Sequence, residues 1–190
     1  MRSKHFKAAF DRTMKTEGGY SDDPQDSGGE TFRGISRLYW PEWSGWHLVD
    51  GYRKEGFTSF EKSGMNKLVE SFYWINFWQR IQGGKLAAVS QEVAYEVFDT
   101  AVNMDVPDAV RFLQTALNMQ RMSTRAFSEL MVDGRLGKKT LSALSLYLAT
   151  QPGDPESNEK ILLACMNGEQ YLAYKSNPQH VYFRGWFLRV

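Results

Sequence analysis

Residues Thr16 to Ile35 are the stretch that most restricts this chain. They read T-E-G-G-Y-S-D-D-P-Q-D-S-G-G-E-T-F-R-G-I. Phe6, Phe10, Met14 and Glu17 recur at i, i+4, i+8 and i+11, one face of a 3.6-residue helix. The spacing predicts a helix from Ser3 to Thr16 that the Gly18-Gly19 pair stops. Glu17 then sits at the apolar end of that helix. Partial desolvation there raises a carboxyl pKa, the condition for a general acid near neutral pH. Beyond the helix, Ser27-Gly28-Gly29 is a turn signal, and Thr31-Phe32-Arg33-Gly34-Ile35 reads as a strand returning from it. That hairpin brings Asp26 and Thr31 back toward the helix end. One buried acid facing one solvated acid is what glycoside hydrolysis uses. A plain helix-end charge and a plain turn aspartate fit the same residues.

The rest of the chain has helical periodicity. Gly64 to Gln82 carries Leu68, Phe72, Ile75 and Trp78 on one stripe, widened by Val69 and Trp74 and stopped by Gly83-Gly84. The aromatic run Tyr73 to Trp78 points to a central element. Lys85 to Met104 reads as one helix through Leu86, Val89, Val93, Val97, Ala101 and Met104. Ala109 to Met119 follows, with Pro107 near its start. Gln151 to Pro155 is a loop, and a last long helix begins near Ser157. Its apolar positions include Ile161, Leu162, Cys165, Met166, Tyr171 and Tyr174. Ile35 to Gly56 has no clear period. Its Trp40, Pro41, Trp43 and Trp46 either floor a sugar groove or cap the core. The expected fold is all-α with one small β-hairpin after the first helix. Two regions are expected, 1–105 and 106–190, with packing that can run on across the seam.

Composition excludes several classes. The 190 residues carry a net charge of +1, which offers no general attraction to nucleic acid. The single cysteine, Cys165, forbids an internal disulfide and reads as a buried, inert thiol. No window resembles a membrane span, and no apolar run follows the first charges as in a signal peptide. His5, His47 and His180 are too scattered for zinc, and no metal is expected. There is no G-x-S-x-G elbow and no phosphate loop. Asp22, Asp23 and Asp26 fail the EF-hand register, because Ser27 stands where that loop needs glycine.

Glu17-Gly18-Gly19-Tyr20, followed by Asp26-x-Gly28-Gly29-x-Thr31-x-x-Gly34-Ile35, resembles the signature of glycoside hydrolase family 108. These are lysozyme-like muramidases of phage endolysins and bacterial secretion-activator proteins. Two further blocks resemble the same family: Phe98-Asp99-Thr100-Ala101-Val102-Asn103 and the terminal Tyr182 to Phe187 with its Gly185-Trp186. Leu113-Gln114-x-x-Leu117 with Val132-Asp133-Gly134-x-x-Gly137-x-x-Thr140 looks like a helical peptidoglycan-binding module. That motif is more a fold signature than a chemical one, so wall binding and a purely structural lobe both remain open.

The resemblance implies a muramidase that cuts the β-1,4 bond between N-acetylmuramic acid and N-acetylglucosamine. In it Glu17 is the acid, Asp26 holds or deprotonates the attacking water, and Thr31 helps to place it. Asp22, Asp23 and Glu30 are alternatives to Asp26. Tyr20 and Asn103 are expected to contact substrate, while Asp99 fits a helix-end capping pair. No cofactor is implied. The expected partner is the peptidoglycan glycan strand, met by a monomer that is made in the cytoplasm and released through a holin or by lysis. The alternatives are a lytic transglycosylase, a chitinase-type enzyme, and a non-catalytic wall-binding or secretion-assisting protein.

Overall fold

A computed structural model describes residues 3–15, 19–22, 29–56, 63–121, 126–150 and 154–176. The described residues form eight α-helices, one π-helical turn and a three-stranded antiparallel sheet, so the fold is mainly α as expected. The chain divides into two compact units, 1–78 and 79–190.

In the first unit, α1 spans Lys4–Thr13. Ser3 caps it, its hydroxyl accepting from Phe6 N at 3.3 Å. Phe6, Ala9, Phe10, Thr13 and Met14 are buried, the face that the periodicity marks. The helix ends at Thr13, three residues short of the expected Thr16. Met14 N donates to the Phe10 carbonyl at 2.9 Å and Lys15 N to the Arg12 carbonyl at 3.3 Å, so the last turn tightens before any glycine is reached.

Strands β1 (Tyr20–Ser21), β2 (Thr31–Phe32) and β3 (Ile35–Ser36) run in that order across the sheet. Tyr20 pairs with Phe32 and Ser21 with Thr31; Thr31 pairs with Ser36 and Phe32 with Ile35. The expected strand Thr31–Ile35 is therefore two strands. Arg33 and Gly34 both have positive φ, 47° and 78°, the pattern of a tight two-residue hairpin turn. Tyr73 Oη donates to the Arg33 carbonyl at 2.7 Å and holds that turn. Phe32 and Ile35 face the core, and their strand neighbours Thr31 and Ser36 turn to the opposite face.

Helix α2 (Gly45–Lys54) occupies much of the stretch that shows no period. Helix α3 spans Ser63–Tyr73 and runs into the π-helical turn Trp74–Trp78. Its buried side chains are Met65, Val69, Phe72 and Tyr73, with Trp78 beyond; Ile75, expected in the stripe, is 56% exposed. The wider π turn breaks the 3.6-residue phase on which that expectation rested. The aromatic run is central all the same: Phe6 meets Trp74 edge-on at 4.9 Å and Trp78 at 5.7 Å.

In the second unit the expected helix from Lys85 to Met104 is two. Helix α4 (Gly83–Val89) starts on the glycine pair expected to stop the preceding helix, and α5 (Gln91–Asn103) follows. Ser90, extended at φ −148°, separates them and caps α5 by accepting from Val93 N at 3.0 Å. Helix α6 (Val106–Arg121) packs against α5, α7 (Lys138–Thr150) and α8 (Pro155–Ser176). Asp105 caps α6, and Asp154 caps α8. Along α8 the buried residues are Asn158, Leu162, Met166, Gln170 and Tyr174, a strict run of fours. Cys165 lies one position off that run. It is half-buried and accepts from Gln120 Nε2 at 3.3 Å, so the expected buried thiol is corrected.

Gln114 explains the second motif. Its Oε1 accepts from Gly134 N at 3.0 Å, and its Nε2 donates to Asp133 Oδ1 at 3.0 Å, the Arg135 carbonyl at 3.2 Å and Thr140 Oγ1 at 3.3 Å. One helical turn on, Asn118 exchanges two 2.8 Å bonds with the backbone of Leu130. Gly134 has φ +72°, and a Cβ there would lie 2.9 Å from the Pro107 carbonyl oxygen. These residues hold an extended segment against α6, which is a structural task.

Candidate functional site

The short sheet carries a polar cluster built from β1, the turn before β2, the loop after β3 and α2. At its centre is Glu30, whose side chain is only 12% exposed. It accepts from Tyr20 Oη at 2.9 Å, Arg37 Nη1 at 2.6 Å and Arg53 Nη1 at 3.1 Å. Arg37 also grips Asp50 on α2 in a fork of 2.8 and 2.6 Å bonds, and lies 4.9 Å over the Trp46 ring. Arg53 reaches Asp22 Oδ2 at 3.2 Å and sits 5.6 Å over the Tyr20 ring.

The electrostatics follow from those contacts. Burial pushes the Glu30 carboxyl up, but hydrogen bonds from Arg37 and Tyr20 and the charges of Arg37 and Arg53 outweigh it, leaving its pKa below the usual value. Burial, and then the hydrogen bond to Glu30, pushes the Tyr20 phenol up to about 12. The Arg37 fork lowers Asp50. Glu30 is thus a fixed anion that ties the ribbon to α2, the opposite of a proton donor.

Of the residues singled out in the sequence, Glu17 and Asp26 lie outside the described residues, as do Asp23 and the Tyr182–Phe187 block. Tyr20 and Thr31 come together on adjacent strands, on opposite faces of the sheet. The Tyr20 hydroxyl is engaged with Glu30 and, at 3.4 Å, with Asp22. Thr31 is half-buried, and its hydroxyl donates to the Gly29 carbonyl at 3.0 Å, which leaves the oxygen lone pairs to accept from another group. Asn103 closes α5 in the second unit. Its amide donates to Tyr174 Oη, which also accepts from Gln170 Nε2 at 2.5 Å.

Arg37, Asp50 and Arg53 are not among the residues that the sequence motifs single out. Their one sequence signal is the i, i+3 pair Asp50 and Arg53 on a single helix face, and no period marks that helix. Among the described residues no group of three or more His, Cys, Asp or Glu side chains is placed to hold a metal ion. No helix among them is long and apolar enough to cross a membrane.

A surface cavity of about 470 Å³ opens elsewhere on the first unit. Tyr39, Trp40, Pro41, Glu42 and Trp43 form one wall, and Phe72, Ile75 and Asn76 the other.

Residues 10–104 match the family model Glycosyl hydrolase 108. The chain belongs to the glycosyl hydrolase 108 family. Residues 108–190 match a second model, the Predicted Peptidoglycan domain. This family member is similar in fold to a solved structure of SagA from Brucella abortus, with 23% identity and a TM-score of 0.61. The similarity covers 97% of this chain and 88% of the other. No curated protein matches the sequence. Together the two family models make this glycosyl hydrolase 108 member a lysozyme-like protein that acts on peptidoglycan.

Proposed function

We propose that the protein is an N-acetylmuramidase, which hydrolyses the β-1,4 bond between N-acetylmuramic acid and N-acetylglucosamine. The observation that carries this reading is the match of residues 10–104 to a glycosyl hydrolase model over the Glu17, Asp26 and Thr31 block. Glu17 donates its proton to the leaving glycosidic oxygen as the bond to the anomeric carbon breaks. A water attacks that carbon and gives its proton to Asp26, so the sugar is released with an inverted anomeric centre. Two carboxyls roughly 6.5–9.5 Å apart leave room for such a water.

The ribbon supports this assignment in two ways. Thr31 has its own proton committed to Gly29 O, so its oxygen is available to accept from the water. Of the three nearby alternatives, Glu30 and Asp22 are held by arginines, and this favours Asp26 over those two as the second carboxylate. Region 108–190 supplies affinity for the wall.

A zymogram of the purified protein in peptidoglycan, with Glu17→Gln beside it, tests the reading. The wild type should clear the gel and the variant should not. New reducing ends mark hydrolysis, whereas anhydro ends would mark a lytic transglycosylase. Sacculi pulled down intact by the wild type would leave only the non-catalytic, wall-binding reading.

A further inference from the structure

We infer that the cavity between the Tyr39–Trp43 segment and α3 is a second carbohydrate site, one that takes a neutral N-acetylated pyranose on a different face from Thr31. This rests on the muramidase reading for its choice of a glycan.

Exposed apolar groups converge there. Tyr39 is 70% exposed and Ile75 56%, both on the cavity wall, and Leu38 beside them is 64% exposed. Single exposed apolar residues are ordinary, but a cluster around one concavity marks a contact surface. The volume, about 470 Å³, falls within the roughly 300–1,000 Å³ of small-ligand sites.

The walls are rigid. The Trp43 ring stacks on Phe32 at 6.0 Å and meets Trp46 edge-on at 5.2 Å. It also lies so close over Gly45 that a Cβ there would be 2.2 Å from its Cη2. Trp40 stands perpendicular to Phe72 at 4.8 Å, and its carbonyl accepts from Trp46 Nε1 at 2.8 Å. On the other side is the π-helical turn, a rare geometry often kept where a site needs it. There Asn76 Nδ2 donates to the Phe72 carbonyl at 2.9 Å, which leaves the side-chain oxygen to act as an acceptor.

The polar groups select the ligand. Lining residues include Glu42 and Asn76 and no lysine or arginine. Glu42 makes no ion pair among the described residues. Flat aromatic faces beside acceptors suit a pyranose, whose C–H face stacks while its hydroxyl and acetamido N–H groups donate. The unpaired carboxylate disfavours the lactyl and peptide carboxylates of a muramyl residue, so the neutral N-acetylglucosamine unit is the occupant. This site is separate from Thr31, because Phe32 turns toward Trp43 while Thr31, next in the strand, turns to the opposite sheet face.

Full-length protein carrying Glu17→Gln, titrated with triacetylchitotriose, tests the inference. Binding should saturate and shift the indole N–H signals of Trp40 and Trp43. Tyr39→Ala should weaken it at least about fivefold, and Ile75→Ser on the other wall should weaken it too. A muramyl tetrapeptide should bind less tightly than chitotriose, and Glu42→Gln should narrow that gap. Near-UV circular dichroism confirms that each variant is folded. Absent saturation, affinity indifferent to both Tyr39→Ala and Ile75→Ser, or a dimer that Tyr39→Ala dissolves would each overturn the proposal. Because the titration needs no turnover, it can fail while the zymogram succeeds, or the reverse.

Discussion

Replacing Gln114 should unlock the second unit from inside. Gln114 is 2% exposed and makes four hydrogen bonds to the segment after residue 130 and to α7. In Gln114→Leu the buried Gly134 N–H loses its partner, which costs about 1–3 kcal/mol. Asp133 Oδ1 keeps its 2.9 Å bond from Arg135 N, and the Thr140 hydroxyl can turn elsewhere, so those losses are smaller. The expected total is about 2–4 kcal/mol. With a urea slope of about 2 kcal/mol/M, the midpoint should fall by about 1–2 M. Far-UV circular dichroism reads the midpoint, and hydrogen exchange at the Gly134 and Leu130 amides locates the loosening. Gln114→Glu sharpens the case. It keeps an acceptor for Gly134 but turns an anion toward Asp133 and the Arg135 carbonyl. The introduced carboxyl should therefore have a folded pKa above its unfolded one. Its protonated form carries the stability, which is present at acid pH and lost as pH rises through the folded pKa. A loss under about 1 kcal/mol in Gln114→Leu, or no acid recovery in Gln114→Glu, would refute the clamp.

Three further outcomes are expected. Glu17→Gln should lower the clearing rate of permeabilised Gram-negative cells by about 10²–10⁴ at unchanged helix content, and Thr31→Val should slow it more than Thr31→Ser, as turbidity would show. Glu30 and Asp50 have lowered pKa values, so their stabilisation is full above the ordinary carboxylate range of about 4 and is lost as pH falls through the folded values. The melting-temperature gap between wild type and Glu30→Gln should close accordingly in acid. Gly45→Ala should push the Trp43 ring off its seat at a cost of about 1–3 kcal/mol and change the near-UV spectrum; an unaltered spectrum would contradict the tight contact.

Local signals carried much of this protein. The buried face of α1, the positions of α6 and α8, and the mainly α class follow from apolar spacing and turn residues, which act over a few neighbours in the chain. The Glu17 to Ile35 block carries a hydrolase-family signature without any geometry, because an ordered series of acids, glycines and a threonine is written in the chain itself. Where local rules compete, the sequence was ambiguous. Gly83-Gly84 stops a helix as readily as it starts one, and Ser90 breaks a continuous apolar stripe because its cap to Val93 is worth more than an unbroken turn.

Tertiary structure alone decided the rest. Arg37, Glu30, Asp50 and Arg53 mean nothing as separate charges; folding the ribbon onto α2 makes them one network and commits the Glu30 carboxylate to Arg37 and Arg53. Ile75 belongs to the core by count, yet the π turn rotates it to the surface and opens a cavity against Tyr39 and Trp40. Helix periodicity records which side of an element is apolar. It does not record which distant element arrives to cover that side, or leaves it bare, because burial and pairing depend on groups far apart in sequence.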